Sequence, residues 1–397
     1  MGRDKMVLTL LEPFLHSHGS HYLNYVVDIG NAARARGIET RVFVDRTIER
    51  KASKVLKLSG IDTVKIFPTK TVSNIRVRGI IWPLTTIIYA SVLLKLANKN
   101  LEKSLICTVS GNLEYLAGAS LALLSGACKK KLFVQMYSWE TREHLSKTPH
   151  LIRFYRCLTE NLVRRAIDAD LLKVMGQGRE TAEHIGNRLR RKIPHVPYVT
   201  DWSKFPTHHG KNSKPQIGFL GVMRAEKGFR EFVEAVEKLN VDAEIIVQAQ
   251  IPKNLAEQNP EDLIARLKSC ATCRVVEGEL SLYDYNQILS HLDIVVLPYR
   301  PDSFAAKTSN IFSEAIGLGK IVIAPSETLM GKILKKLGIG IAYFPYSAEA
   351  LSKGIVEALT HYDVLRRRSY AASDQWRRKN SSGAFLGRLL AISEIHN

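Results

Sequence analysis

Cysteine is scarce in this chain: five among 397 residues, odd in number and scattered, which excludes a disulfide-built scaffold and leaves buried free thiols as the expectation. Cys270 and Cys273 form a lone CxxC with no second pair and no histidine at zinc spacing, so a zinc module is excluded as well. Long apolar runs are missing. Residues 80–94 are uncharged for only 15 positions, short of the roughly 20 that a spanning helix needs, and they contain Pro83. That stretch reads as a helix packed inside the first domain or docked on an anionic bilayer, with Arg76, Arg78, Lys95 and Lys99 as its flanks. No signal peptide is visible. MGRDKMVLTLLEP sets charges before an apolar run of about five residues and reads as a first strand, so a cytoplasmic location is expected. No recognition-helix, RNP or zinc-finger pattern appears, and no nucleic-acid partner is expected.

The chain is long enough for two domains, and 45% apolar residues supply two cores. Its charge is lopsided: residues 1–200 hold 32 Lys and Arg against 16 Asp and Glu, a net +16, while the other 25 against 22 leave +3. A basic half beside a nearly neutral one points to an anionic partner such as a phospholipid surface, a lipid-linked phosphate or an acidic glycan, or else to a solvated basic surface with no partner. The tight basic runs are only 129–131 and 188–192.

Strand-like and helix-like pieces alternate through the first half (MVLTLLE, a helix over 22–36, ETRVFV, SLICTVSG, KLFVQMYSW, LLKVMGQ), as in an α/β domain with a parallel sheet. DWSKFPTHHGKNSKP then breaks the pattern, and the alternation restarts at PQIGFLGVM. The organisation expected is a domain over 1–200, a linker over 201–213, a second domain over 214–375 and a terminal helix in 376–397 that packs back on the first domain. Two Rossmann-like βαβ domains facing across a cleft make a favoured ligand site.

Residues 293–325, DIVVLPYRPDSFAAKTSNIFSEAIGLGKIVIAP, read as one βαβ unit. Its loop and helix start meet at the carboxyl edge of a parallel sheet, where ligands bind. Lys307, Thr308, Ser309 and Asn310 put a cation, hydroxyls and an amide beside helix N-terminal amides, which suits a phosphate. Glu314, just over one turn later, can accept hydrogen bonds from a sugar diol. The plainer alternative makes Ser309 an N-cap and Glu314 a solvated helix residue. GFLGVMRAEKGF, with Gly218, Gly221, Arg224, Lys227 and Gly228, ends another strand in a glycine turn. It delivers two cations able to hold a diphosphate and neutralise it as a leaving group. His16, His18 and His21 share a loop but lack a matching carboxylate or cysteine pair, so no metal is expected there. Glu114 and Glu140 follow strand ends, either to orient an acceptor or simply as surface residues.

These blocks carry a resemblance. GFLGVMRAEKGF, HLDIVVLPY, SEAIGLGKIVIAP and IPHVPYVTDWSKF, the last with Asp201 four residues before Phe205, occur in the order found in retaining glycosyltransferases of the GT-B fold, family 4. GSHYLNYVVDIGNAARARGIETRVFV is similar to that family's glycine loop and first helix. The resemblance covers nearly the whole chain. It implies that Arg224 and Lys227 grip a donor diphosphate, that Glu314 binds the ribose, and that Gly221, Thr308, Ser309 and Asn310 lie near the phosphates. Gly19, Ser20 and His21 would approach the donor from the first domain, with Tyr137, Ser138 and Glu140 on the acceptor or sugar side. Ala306 stands where the family often has a sugar-binding glutamate, and Tyr137 or Ser138 where it often has a histidine.

The function implied is a metal-independent hexosyltransferase without cofactor. It takes a UDP- or GDP-sugar and a glycan or lipid-linked acceptor, retains anomeric configuration, and serves surface polysaccharide or glycolipid synthesis at the cytoplasmic membrane face. A nucleotide-sugar epimerase of similar build, and a non-catalytic basic protein binding nucleic acid or anionic lipid, are the alternatives.

Overall fold

The computed structural model describes residues 6–15, 21–67, 78–97, 104–126, 130–137, 139, 148–206, 212–251, 258–307 and 309–394; of residues 21, 78, 79, 95–97 and 394 it describes the backbone alone. The chain divides into two compact units, residues 1–200 with 381–397, and residues 201–380.

The first unit is built on a seven-stranded sheet: β1 (Val7–Glu12), β2 (Glu39–Asp45), β3 (Asp62–Phe67), β4 (Ser104–Gly111), β5 (Leu132–Met136), β6 (Leu172–Gln177) and β7 (His195–Val196). The strands lie parallel in the order β3-β2-β1-β4-β5-β6-β7. Because parallel strands are covered on both faces, they read as near-continuous apolar runs. One face packs Leu11, Leu132 and Val134 against Trp82, Tyr89, Tyr115 and Ile152 from the helices Arg78–Ala97, Leu113–Leu124 and Pro149–Asp168. The other packs Leu8, Leu10 and Val109 against Tyr25 and Val26 of the helix His21–Arg34 and against Phe385, Leu386 and Leu389 of the terminal helix Ser382–Glu394. That last helix is also tied by Arg36, which donates to the Gly383 carbonyl at 3.1 Å. Strand order reverses between β1 and β4, so a crevice opens at their carboxyl ends.

The helix Arg78–Ala97 covers residues 80–94, packing one side into the unit and leaving another outward. Trp82, Tyr89, Val92 and Leu93 are buried in the unit, while Ile80, Leu84 and Ile87 are 61%, 59% and 62% exposed. Spacings of four and three put these three on one outward stripe. Among the described residues no helix is long and apolar enough to cross a membrane.

The second unit repeats the plan with β8 (Gln216–Phe219), β9 (Glu244–Ala249), β10 (Cys273–Glu277), β11 (Ile294–Val296), β12 (Ile321–Pro325) and β13 (Ile341–Tyr343). Its order is β10-β9-β8-β11-β12-β13, again all parallel. Here the order reverses between β8 and β11. Both recognised blocks, the glycine turn after β8 and the polar loop after β11, therefore leave the sheet at the same switch point.

Of the described cysteines, only Cys107 is buried as expected; Cys157 is exposed, and Cys270 and Cys273 are half-buried. Glu114 is buried in the first turn of its helix, not a surface residue.

Candidate active site

The loop after β8 is shaped by two glycines. Gly221 sits at φ +116°, and its amide donates to the Gln248 side chain at 2.8 Å. A single turn of 3-10 helix, Ala225–Lys227, then ends at Gly228, which at φ +66° opens the helix Phe229–Val236. A Cβ on Gly228 would lie 1.8 Å from the Pro298 carbonyl oxygen. Only glycine allows that approach, which locks the loop after β8 against the loop after β11.

Lys227 folds back over this turn. Its ammonium lies 5.7 Å from the centre of the Tyr299 ring and 2.8 Å from the point where a Cβ on Gly221 would stand. Burial, followed by the charge of Arg224 and, less strongly, of Lys307, brings its pKa down to about 8, against a smaller opposing pull from Glu226. Arg224 is more exposed and stands 3.9 Å from Glu226. Lys307 packs 4.9 Å from the Phe304 ring.

Tyr299 joins the two loops. Its ring is fully buried beneath Lys227, and its hydroxyl lies 3.5 Å from that of Ser309. Ser309 is the N-cap residue of the helix Asn310–Gly317, in extended conformation, but its side chain makes no capping bond. The plain N-cap role is thus not what its hydroxyl does here. The amides of the helix's first turn lack intrahelical acceptors by geometry, and the dipole adds partial positive charge at this end.

Glu314 is half-buried and accepts a hydrogen bond from the Tyr285 hydroxyl at 2.5 Å. It is not a freely solvated residue. Its helix is held from behind by two tryptophans. The Trp376 indole donates to Ser313 at 3.0 Å, and the Trp202 ring lies so close to Gly317 that a Cβ there would meet it at 2.1 Å. Trp202 belongs to the DWSKF block, whose Asp201 accepts from the Ser203 amide and hydroxyl. The structure thus brings Gly221, Arg224, Lys227, Lys307, Ser309, Asn310 and Glu314 to one sheet edge. Thr308 lies outside the described residues. Ala306 is half-buried in the same loop. Tyr299 lies inside the HLDIVVLPY block without having been singled out there, and Tyr285 and Gln248 are marked by no local motif; all three orient these groups.

In the first unit, Gly19, Ser20, Ser138, Glu140, His16 and His18 lie outside the described residues, and of His21 the backbone alone is described, at the start of its helix. Tyr137 follows β5 with its ring edge-on to Tyr25 at 6.1 Å and its hydroxyl buried beside it. Burial, then Tyr25 and Glu12, hold that phenol well above its ordinary value. Beside it lies a group the sequence did not single out. Glu12 ends β1, fully buried, and accepts hydrogen bonds from the Ser110 hydroxyl on β4 and from the Phe14 backbone. Burial pushes its pKa up to about 8, against the Ser110 and Phe14 hydrogen bonds. Gln135 on β5 is buried, and neither of its amide atoms has a partner among the described residues. Orphan polar atoms of this kind cost about 1–3 kcal/mol each. Among the described residues no three His, Cys, Asp or Glu side chains gather as a metal site.

No family profile matches the chain, and no curated protein matches it in sequence. Solved structures do. Sucrose-phosphate synthase from Thermosynechococcus elongatus superposes with a TM-score of 0.72 at 14% identity, over 99% of this chain and 98% of that one. A glycosyltransferase from Rickettsia africae gives 0.70 at 15% identity over 99% of both chains. HepE from Anabaena, solved with UDP-glucose, gives 0.69 at 14% identity over 98% of this chain and all of that one. The chain has the GT-B fold.

Proposed function

We propose that the chain is a glycosyltransferase that moves a hexose-type sugar from a UDP- or GDP-linked donor to a glycan or lipid-linked acceptor with retention of anomeric configuration. The observation that carries this reading is the charge at Lys227: a partly buried ammonium next to Arg224 and Lys307, with Glu226 as the opposing charge. Such a cluster is poised for a multiply charged anion, and a nucleoside diphosphate supplies one. Support also comes from HepE, which shares the fold and was solved with UDP-glucose and with UDP.

Arg224 and Lys227 hold the diphosphate and neutralise charge as it leaves, assisted by the amides at Ser309, Asn310 and Thr308. Glu314, oriented by Tyr285, accepts the ribose hydroxyls. Gly19, Ser20 and His21 approach the donor, and Tyr137, Ser138 and Glu140 serve the acceptor or sugar side. The bond from sugar C1 to the diphosphate oxygen breaks, the acceptor oxygen bonds to C1 on the same face, and its proton passes to the departing phosphate. Stabilisation specific to that charge separation is what accelerates the step. Fixed cations perform the task a divalent metal would, so chelation should leave turnover unchanged.

The acceptor side of the proposal is a peripheral enzyme at the cytoplasmic face of a membrane, working on surface polysaccharide or glycolipid. The outward Ile80, Leu84 and Ile87, together with exposed Arg153, Phe154, Leu158 and Arg165 on the helix Pro149–Asp168, support it. Apolar side chains beside cations favour an anionic bilayer surface.

Incubation with a panel of UDP- and GDP-sugars and saccharide or lipid acceptors tests the proposal. Release of UDP or GDP that depends on acceptor, with a product of the donor's anomeric form, is expected. A new nucleotide-sugar epimer formed without acceptor would instead make the chain an epimerase. Salt-sensitive nucleic-acid binding with no donor turnover would make it a non-catalytic binder.

A further inference from the structure

We propose that Cys270 and Cys273 form a redox-active dithiol on the second unit, oxidised to an internal disulfide by small disulfides of the glutathione class. The helix Pro260–Lys268 ends just before Cys270, and β10 begins at Cys273. Between them the Cys273 amide donates to the Cys270 carbonyl at 3.0 Å, which closes a β-turn. A turn of this kind brings the first and fourth Cα atoms within about 7 Å, and a disulfide spans about 4.4–6.8 Å, so the bond forms without unfolding the turn. Both thiols are half-buried, within reach of solvent and of each other. β10 is the edge strand of its sheet, and no described strand pairs along its outer side.

The two thiols differ in chemistry. Burial pushes Cys270 up, but hydrogen bonds from the Thr272 hydroxyl and amide and from Cys273 outweigh it and hold this thiol below its ordinary value. The Thr272 hydroxyl lies 3.2 Å from the sulfur. Cys273 is pushed up, first by burial and then by Cys270 itself. Cys270 is therefore the attacking thiol and Cys273 the resolving one. The Cys270 thiolate attacks one sulfur of oxidised glutathione and releases one glutathione thiolate. Cys273, relieved of the neighbouring negative charge, then loses its proton and displaces the second glutathione. Two protein thiols are oxidised and one glutathione disulfide is reduced to two thiols. Among the described residues no further His, Cys, Asp or Glu completes a metal site with the pair.

Treating the full chain with oxidised glutathione, alkylating what remains with N-ethylmaleimide and mapping peptides by mass reads the outcome directly. The wild type is expected to lose alkylation at both Cys270 and Cys273 and to yield one peptide carrying their disulfide, reversed by dithiothreitol. Cys273→Ser should instead accumulate a glutathione adduct at Cys270, and Cys270→Ser should slow any adduct at Cys273 at least tenfold. The exposed Cys157 should carry an unresolved adduct and serves as the control. Continued alkylation of both cysteines in the wild type, or a Cys270 adduct that never resolves there, overturns the proposal.

Discussion

The position of Lys227 costs stability. Its pKa falls from 10.5 to about 8, so at neutral pH it is charged in folded and unfolded chains alike and the unfavourable burial is fully felt. Stability should rise as pH climbs from about 8 towards 10.5, where only the unfolded chain keeps the proton. Lys227→Met should therefore raise the ligand-free stability by about 1–3 kcal/mol, each pKa unit being worth about 1.4 kcal/mol, and abolish the thermal shift given by UDP or GDP. Differential scanning fluorimetry checks both halves. Glu12 works with the opposite sign. An acid raised from 4.5 to about 8 keeps its proton in the folded chain, so stability is lost as pH rises from about 4.5 to 8. Glu12→Gln should flatten that slope in urea unfolding measured across the range. At this scale Arg224, Lys227 and Glu314 were legible because cations after a strand and a carboxylate early in a helix are unusual locally. Glu12 was not, since β4, which pairs with its strand and brings Ser110 to it, lies far along the chain, Ser110 being 98 residues away. Tyr299 was not either: its role is to sit under Lys227 from another loop.

Among elements, the helix Asn310–Gly317 separates two explanations of Ser309. A hydroxyl that caps its helix costs about 1 kcal/mol to remove. Ser309 makes no such bond, so Ser309→Ala should change stability by less than about 0.5 kcal/mol while weakening nucleotide binding several-fold. Loss of stability without loss of binding would restore the plain N-cap. Gly228 has the reverse profile. Gly228→Ala drives a methyl into the Pro298 carbonyl from a left-handed backbone, a strain of about 1–3 kcal/mol or more, and should lower the melting temperature as well as binding. The βα alternation and the 293–325 unit were legible because apolar period and glycine punctuation are local signals. The strand there is shorter than DIVVLP suggests: β11 stops at Val296, and Pro298, without an amide hydrogen, cannot extend the ladder. The helix Arg50–Leu58 and the strand Asp62–Phe67 escaped notice, being short and only partly apolar. They are fixed by β2 and by the core rather than by their own pattern.

For the molecule as a whole, the excess charge of residues 1–200, 32 Lys and Arg against 16 Asp and Glu, lies in the same unit as the outward stripe Ile80, Leu84 and Ile87. Sedimentation with vesicles should show binding to bilayers rich in anionic lipid, little to zwitterionic ones, and weakening with salt. The triple change of these three residues to glutamate should abolish it without altering the UDP shift. The two-unit plan was legible from composition and alternation; which side of the helix Arg78–Ala97 faces outward was not, because its sequence is apolar all round. A Lys227 that sits in a diphosphate site should exchange a proton on binding, which reads its role most directly. Titration calorimetry of UDP and GDP into the full chain, near pH 8 and in two buffers of different ionisation enthalpy, should show binding of at least one nucleotide with uptake of part of a proton, as the anion restores the Lys227 charge. The uptake should vanish in Lys227→Met. Binding of neither nucleotide, or binding with the same proton uptake in Lys227→Met, would contradict it.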